Sequence, residues 1–306
     1  MSDRPVVGAL APWFGGNRTL AHHVGEAMKG CSWVGVPFAG GMSEVAHLDA
    51  TSIAVNDRHC AVINLAAIVA DPIKGPQLYR RLRRHAFHPS TLAAAQAACK
   101  ARNRISSQDP SPKTQDLDHG NYVPSLDWAE SYFVAVWMGR NDRAGTGREF
   151  EGGLSNRWNT KGGDSNTRYR SAVAALVEWR RILARCNFST LDCFDFLAKC
   201  QDIEGHGIYC DPPFPDVGHR YRYTFSLDDH ARLARVLAKY DAARVVCRFY
   251  DHPLIRELYP ESRGSRLVGR EWIWIPLGGG RKQNNKSGAK VPEVLVMNRH
   301  PIGRLF

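Results

Sequence analysis

Apolar residues along this chain come in short bursts. "SWVGV" (32–36) and "SIAVN" (52–56) are compact runs of the kind that form buried strands. The first leads into Gly40-Gly41 and a short helix, and the second leads into the Ala-rich "CAVINLAAIVAD". The pattern returns late in the chain. "GIYC" (207–210), "ARVVCRFY" (243–250), "EWIWIP" (271–276) and "EVLVMN" (293–298) predict four more strands. Between the first two of these, "LDDHARLARVLAKY" predicts an amphipathic helix with acids in its first turn. Strands alternating with helices predict a Rossmann-like α/β fold, a doubly wound and mostly parallel sheet. "LGGGRKQNNKSGAKVP" joins the last two strands; it is too short for a helical crossover and rich in turn formers, which predicts an antiparallel hairpin at one edge.

The middle of the chain reads differently. From Tyr79 to Arg104 there are seven Lys or Arg residues and no acid; "SSQDPSPKTQDLDHG" then breaks the pattern, and residues 139–170 carry seven glycines and seven basic residues. Such a stretch cannot build a core by itself. "SAVAALVEWRRILARC" (171–186) predicts the helix that returns the chain to the sheet. The expected organisation is one α/β domain made of residues 1–71 and 181–306, interrupted by an inserted module at 72–180. The basic, glycine-rich loop of that module either becomes ordered on a polyanion or is a solvated surface loop.

Composition narrows the partners. With 306 residues, 43% of them hydrophobic, the chain can bury a real core. Its 41 Lys plus Arg against 30 Asp plus Glu leave a net charge of +11, which favours a polyanion without choosing between DNA, RNA and a membrane surface. No apolar run approaches the ~20 residues needed to span a bilayer, and no apolar segment follows a basic start, so a cytoplasmic protein is expected. The eight cysteines form no CxxC pair and no zinc spacing, and read as free thiols with no metal. Cys186, Cys193 and Cys200 are seven apart, but Asn187 to Thr190 breaks any single helix there.

Two places carry candidate chemistry. The glycines of "VGVPFAGGMSE" (34–44) let backbone approach a ligand above the carboxyl end of the sheet, and the strand ending in Asn56-Asp57 puts an acid where nucleoside-binding α/β folds grip a ribose diol. The missing GxGxxG argues against a dinucleotide. "GIYCDPPFPD" (207–216) ends its strand on an acid and two prolines, which remove N–H donors and leave carbonyl acceptors. An exocyclic amine offers two hydrogens, one for the Asp211 carboxylate and one for the Pro212 carbonyl, and Phe214 offers a ring on which a base can stack.

"WFGGNR" (13–18), "PFAGG" (37–41), "VNDRH" (55–59) and "DPPF" (211–214), in that order, resemble the Dam-type (D12 class) adenine-specific DNA methyltransferases, including phage or prophage members. The likeness covers residues 8–71 and 187–300. It implies an S-adenosylmethionine-dependent methyltransferase fold, S-adenosylmethionine as methyl donor, double-stranded DNA as substrate, N6 of a flipped adenine as acceptor, and a target-recognition role for 72–180. Carried over by position, Asp211, Pro212, Pro213 and Phe214 would hold the flipped base, with Phe in place of the commoner Tyr. Asp57 would bind the ribose. Trp13, Gly15, Gly16 and Asn17, with Phe38, Gly40 and Gly41, would enclose the methionine part. In "LDCFDFL", Asp195 and Phe196 would meet the cofactor adenine, although Asp195 equally suits a helix start.

Two positions depart from the family pattern: Asn17 stands where Lys is usual, with Arg18 beside it, and Val36 stands where Glu often precedes "PF". Both bear on cofactor affinity. For DNA, Arg80, Arg81, Arg83 and Arg84 would meet phosphates, and the 139–170 loop, with Arg157, Lys161 and Arg168, would meet base edges. Trp158 or Tyr169 either wedges into the gap left by the base or belongs to the core. "GGGRKQNNKSG" (278–288) would lie against phosphate on the same face; its likeness to GxxxxGK fails on spacing. The likeness accommodates a monomer or weak dimer, with or without a companion restriction endonuclease, in a bacterial or phage-infected cytoplasm. Methylation of cytosine N4, methylation of RNA, and a DNA-binding protein with a decayed site remain the alternative readings.

Overall fold

The computed structural model describes residues 7–16, 18–108, 123–140, 143–155, 164–261, 271–281 and 290–300. Seven strands, β1 (Trp33–Val36), β2 (Ser52–Asn56), β3 (Cys186–Ser189), β4 (His206–Cys210), β5 (Arg244–Tyr250), β6 (Ile273–Arg281) and β7 (Lys290–Met297), form one sheet. Their order is β3-β2-β1-β4-β5-β7-β6. The first five are parallel, and β7 runs antiparallel between β5 and β6. The doubly wound sheet and its edge hairpin therefore match the expectation from the sequence. β3 does not: it occupies the stretch read only as a helix break, because "CNFS" is four residues long, half exposed, and has no β-branched run to announce it.

The sheet is covered on both faces, and its strands show why. Along β4, β5 and β7 alternate residues bury on opposite sides, as the two-residue repeat of a strand requires. Ile208, Val245, Cys247 and Val294 join one apolar cluster; Tyr209, Val246, Leu295 and Met297 join the other. The first cluster is closed by α7 (Cys193–Lys199), α8 (Leu227–Leu237) and α9 (Pro253–Leu258). The second is closed by α1 (Ala21–Ala27), α2 (Cys60–Ala70), α3 (Lys74–Arg84), α4 (Pro89–Gln108), α5 (Leu126–Met138) and α6 (Ser165–Leu183). Helices of the 72–180 stretch thus share a core with β1 and β2. The basic helix α3 manages this by burying Leu78 and Leu82, one turn apart, while its arginines stay outside.

α6 starts six residues before its predicted position, with Asp164 accepting a hydrogen bond from the Thr167 N–H at 3.3 Å as N-cap. It feeds β3 directly, so its C-terminus lies at the amino edge of the sheet. Its 19 residues rise about 28 Å, which carries its N-terminus to the carboxyl edge. There Arg170 donates to the carbonyls of Arg83 (2.7 Å) and His85 (3.0 Å). The arginine-rich end of α3 is therefore held at the carboxyl edge too. Tyr169 beside it is fully buried and donates to the Leu82 carbonyl at 3.0 Å, which resolves its alternative in favour of the core. Among the described residues no helix is long and apolar enough to cross a membrane.

Asn56, fully buried at the end of β2, ties three strand ends together. Its Nδ2 donates to the carbonyls of Pro37 and Leu191, both at 3.1 Å, and its Oδ1 accepts from the Ser189 hydroxyl and the Leu191 N–H, both at 2.8 Å. Replacing it strands buried groups on several loops at once. Asn56→Ala is expected to cost about 3 kcal/mol, read as a lowered urea midpoint; an unchanged midpoint would refute this role.

Candidate functional site

Connections from β1 lead towards β2, and those from β4 lead towards β5. The reversal between β1 and β4 opens a crevice at the carboxyl edge, the ordinary ligand position in such sheets. A cleft lies there, about 1190 Å³ with its opening to solvent included. Asp211 and the Gly40-Gly41 turn, expected at one site, both line it.

At one side the glycine turns interlock through Trp13. Gly40 has φ +47°, and a Cβ there would sit 2.9 Å from the Trp13 ring nitrogen; at Gly41 a Cβ would meet the Ala11 carbonyl at 2.5 Å. Gly15, with φ +81°, leaves no room for a side chain against the Tyr221 hydroxyl, which donates to the Phe14 carbonyl at 3.2 Å. Asp57 completes the turn: its two oxygens accept the N–H groups of Gly40 and His59, each at 2.8 Å. Burial raises the Asp57 carboxyl above its ordinary range, and these two N–H donors oppose the rise.

Three residues here were assigned no role from the sequence. His59, edge-on to Trp13 with ring centres 5.1 Å apart, donates from Nε2 to Glu149 at 2.9 Å, and both side chains are buried. Glu149 also accepts from the Gly145 N–H at 3.0 Å, and a Cβ at Gly145 would fall 2.6 Å from the Trp13 ring. This part of the 139–170 stretch, expected to face DNA, instead backs the cleft wall. Only the fold gives Glu149 its partner.

The aromatic side of the cleft corrects one assignment. Asp195 is exposed and Phe196 is buried against β1, its ring 3.3 Å from where a Gly35 Cβ would lie; neither lines the cleft. Asp192, Cys193 and Phe194 line it instead. Asp192 is the N-cap of α7, accepting from the Phe194 N–H at 3.0 Å, and Asp195 is the exposed acid of that helix's first turn, which is its alternative reading. Phe194 lies nearly parallel to Phe225 (20°, 6.3 Å), and Phe225 meets Phe38 edge-on at 5.6 Å.

At the tip of β4 Asp211, Pro213 and Phe214 line the cleft, whereas Pro212 is buried outside the lining. Phe214 packs edge-to-face on Tyr250 at 4.5 Å. Asp211 Oδ2 accepts from Arg248 Nη1 at 2.8 Å, and among the described residues no donor reaches its Oδ1. Burial pushes the Asp211 carboxyl up to about 6 against the pull of Arg248. Glu44, also in the wall, is pushed up to about 7 by burial and by the Asp211 charge. Arg248 and Glu44 were not anticipated either.

The arginines predicted to bind DNA separate into groups. Arg80 and Arg84 are exposed; Arg83 lies over the Tyr79 ring at 5.6 Å; Arg81 is paired with Asp127 and Glu130 (2.5 and 3.1 Å). Arg168 is half-buried on α6. Asn17, Arg157, Trp158 and Lys161, with most of the 278–288 loop, lie outside the described residues. Among the described residues no cluster of His, Cys, Asp and Glu could hold a metal ion. No family model matches the chain, and no curated protein matches it.

Glu44 and Asp211 hold protons more tightly when folded than their ordinary values of 4.5 and 3.8. The folded state therefore binds more protons than the unfolded one between those values and about 7, and this pair's contribution to stability falls as pH rises through that window. Glu44→Gln removes part of the effect. Its melting temperature is expected to gain on the wild type as pH is raised from 4.5 to about 7 and to stay level above; parallel curves would contradict the assignment.

Proposed function

We propose that the chain is an S-adenosylmethionine-dependent methyltransferase acting on the exocyclic N6 of an adenine flipped out of double-stranded DNA. One observation carries this reading: an acid with a free oxygen, Asp211, shares a single cleft with the glycine turn and Asp57. A nucleoside cofactor and an acceptor base can thus meet in one cavity.

The residues suit that cofactor. Asp57 keeps a lone pair on each oxygen for ribose hydroxyls after accepting its two backbone N–H groups. Phe38, Phe194 and Phe225 offer apolar faces to a purine. The glycines at 15, 40 and 41 bring backbone, not side chains, to the wall beside Trp13. Bound there, S-adenosylmethionine would supply an electrophilic methyl group on a sulfonium.

The chain's own part is positioning and charge. Asp211 Oδ1 accepts one hydrogen of the amine, which raises electron density on the nitrogen as it attacks. The Asp-Pro-Pro corner holds that oxygen still, and Arg248 fixes the other. Phe214 and Tyr250 form an aromatic wall beside it for the extruded base. Arg80 and Arg84 stand at the same edge of the sheet, where phosphates of the duplex would lie, and their contacts help offset the few kcal/mol of unstacking.

Purified protein is expected to transfer labelled methyl groups from S-adenosylmethionine to duplex DNA and to yield N6-methyladenine on digestion. N4-methylcytosine as product, preference for RNA, or no transfer would each overturn the reading. Asp211→Asn should lower the transfer rate by about 10²–10⁴-fold with duplex binding retained, while Asp57→Ala should chiefly raise the KM for the cofactor. Arg80→Ala and Arg84→Ala should weaken binding of all duplex sequences alike, each lowering the salt slope by about one; an unchanged slope would remove them from the interface.

A further inference from the structure

The acceptor side of the cleft holds more negative charge than its one buried cation can answer. Arg248, 2% exposed, directs Nε and Nη2 to Glu293 Oε2 at 2.9 and 2.8 Å and Nη1 to Asp211 Oδ2 at 2.8 Å. Its three nitrogens are committed to two carboxylates. Glu44 is the third acid. It is 7% exposed, and Arg248 Nη1 lies 4.0 Å away, beyond hydrogen-bond reach. Among the described residues its own backbone N–H is the only donor at its carboxylate. The groups facing it are Asp211, Glu293, Tyr209 and Arg248. A carboxylate about nine-tenths buried, with no side-chain hydrogen bond, its guanidinium neighbour 4.0 Å off and already bonded to two other acids, is costly at the wall of a cleft unless something else brings it a charge.

We propose that Glu44 is the receptor for a positively charged group of the cleft's ligand, the counter-charge that Arg248 does not supply. The ligand's identity rests on the methyltransferase reading: S-adenosylmethionine carries a sulfonium and an ammonium. 5′-Methylthioadenosine keeps the adenosine and has neither charge, so the pair separates recognition of charge from recognition of nucleoside. The same position accounts for the lost acid at Val36, since Glu44 returns a carboxylate to the wall from a point eight residues further along the chain. A cation beside Glu44 favours its ionised form and drives off the proton that burial and Asp211 otherwise keep there. Binding of a charged ligand therefore releases protons, and binding of an uncharged one does not.

Calorimetric titrations of the full chain at about pH 6.5, in two buffers of different ionisation enthalpy, test this. S-Adenosylmethionine is expected to release up to about one proton on binding, and 5′-methylthioadenosine none. Glu44→Gln should weaken S-adenosylmethionine by about tenfold or more, abolish the proton release, and leave 5′-methylthioadenosine unchanged. Should that variant not fold, the wild-type proton counts decide. S-Adenosylmethionine binding without proton release, or equal weakening of both ligands in Glu44→Gln, would overturn the role of Glu44 while leaving the methyltransferase reading intact. Wild-type protein that binds neither compound would overturn both.

Discussion

A single buried guanidinium organises one side of the cleft. Arg248 on β5 joins Asp211 at the tip of β4 to Glu293 on β7, so the parallel sheet and its antiparallel hairpin meet in one charged cluster. Charges so far from water persist only when each has its partner. That requirement aims Asp211: one oxygen is held by Arg248, and the other is left towards the cleft. It also sets the acid's character, since burial leaves it more basic than an ordinary carboxylate despite the neighbouring cation. The corner formed by Pro212 and Pro213 keeps the backbone still, and the guanidinium keeps the side chain still.

The opposite wall depends on close packing of backbone. Trp13 passes within van der Waals reach of Gly40, Gly41 and Gly145, from two turns far apart in the chain, and no side chain larger than hydrogen fits at those points. Trp13 is held in turn by His59, whose partner Glu149 also fixes Gly145. The N-terminal segment, the first strand turn and the glycine-rich stretch consequently form one wall. Asp57 locks the same turn through the Gly40 N–H while lining the cleft.

Charge is arranged around these walls in two ways. Inside the cleft, acids outnumber bases and their cost is borne by burial-shifted protonation. Outside, the arginines at the end of α3 are brought to the same edge by the direction of α6, which must descend to start β3. A cleft with an acidic interior beside a basic rim suits a small cationic ligand within and a polyanion around it. The exposed arginines are not equal in this respect, because Arg81 is already neutralised by Asp127 and Glu130.

Period and composition alone determined the class of this fold. The apolar runs, the Ala-rich helix, the hairpin linker, the glycine turn and the acids at strand ends were all legible, because each is set by residues adjacent in the chain. What sequence order could not carry was partnership across the sheet. β3 lacked an apolar signature, Asp195 and Phe196 lie off the cleft, and nothing along the chain paired Glu149 with His59. Even the two-residue repeat, which puts Asp211, Arg248 and Glu293 on one face of the sheet, does not say that β4, β5 and β7 are neighbours. Strand order and register decided that, because the energy of a buried charge depends on what stands within a few ångströms in space, and chain separation does not enter it.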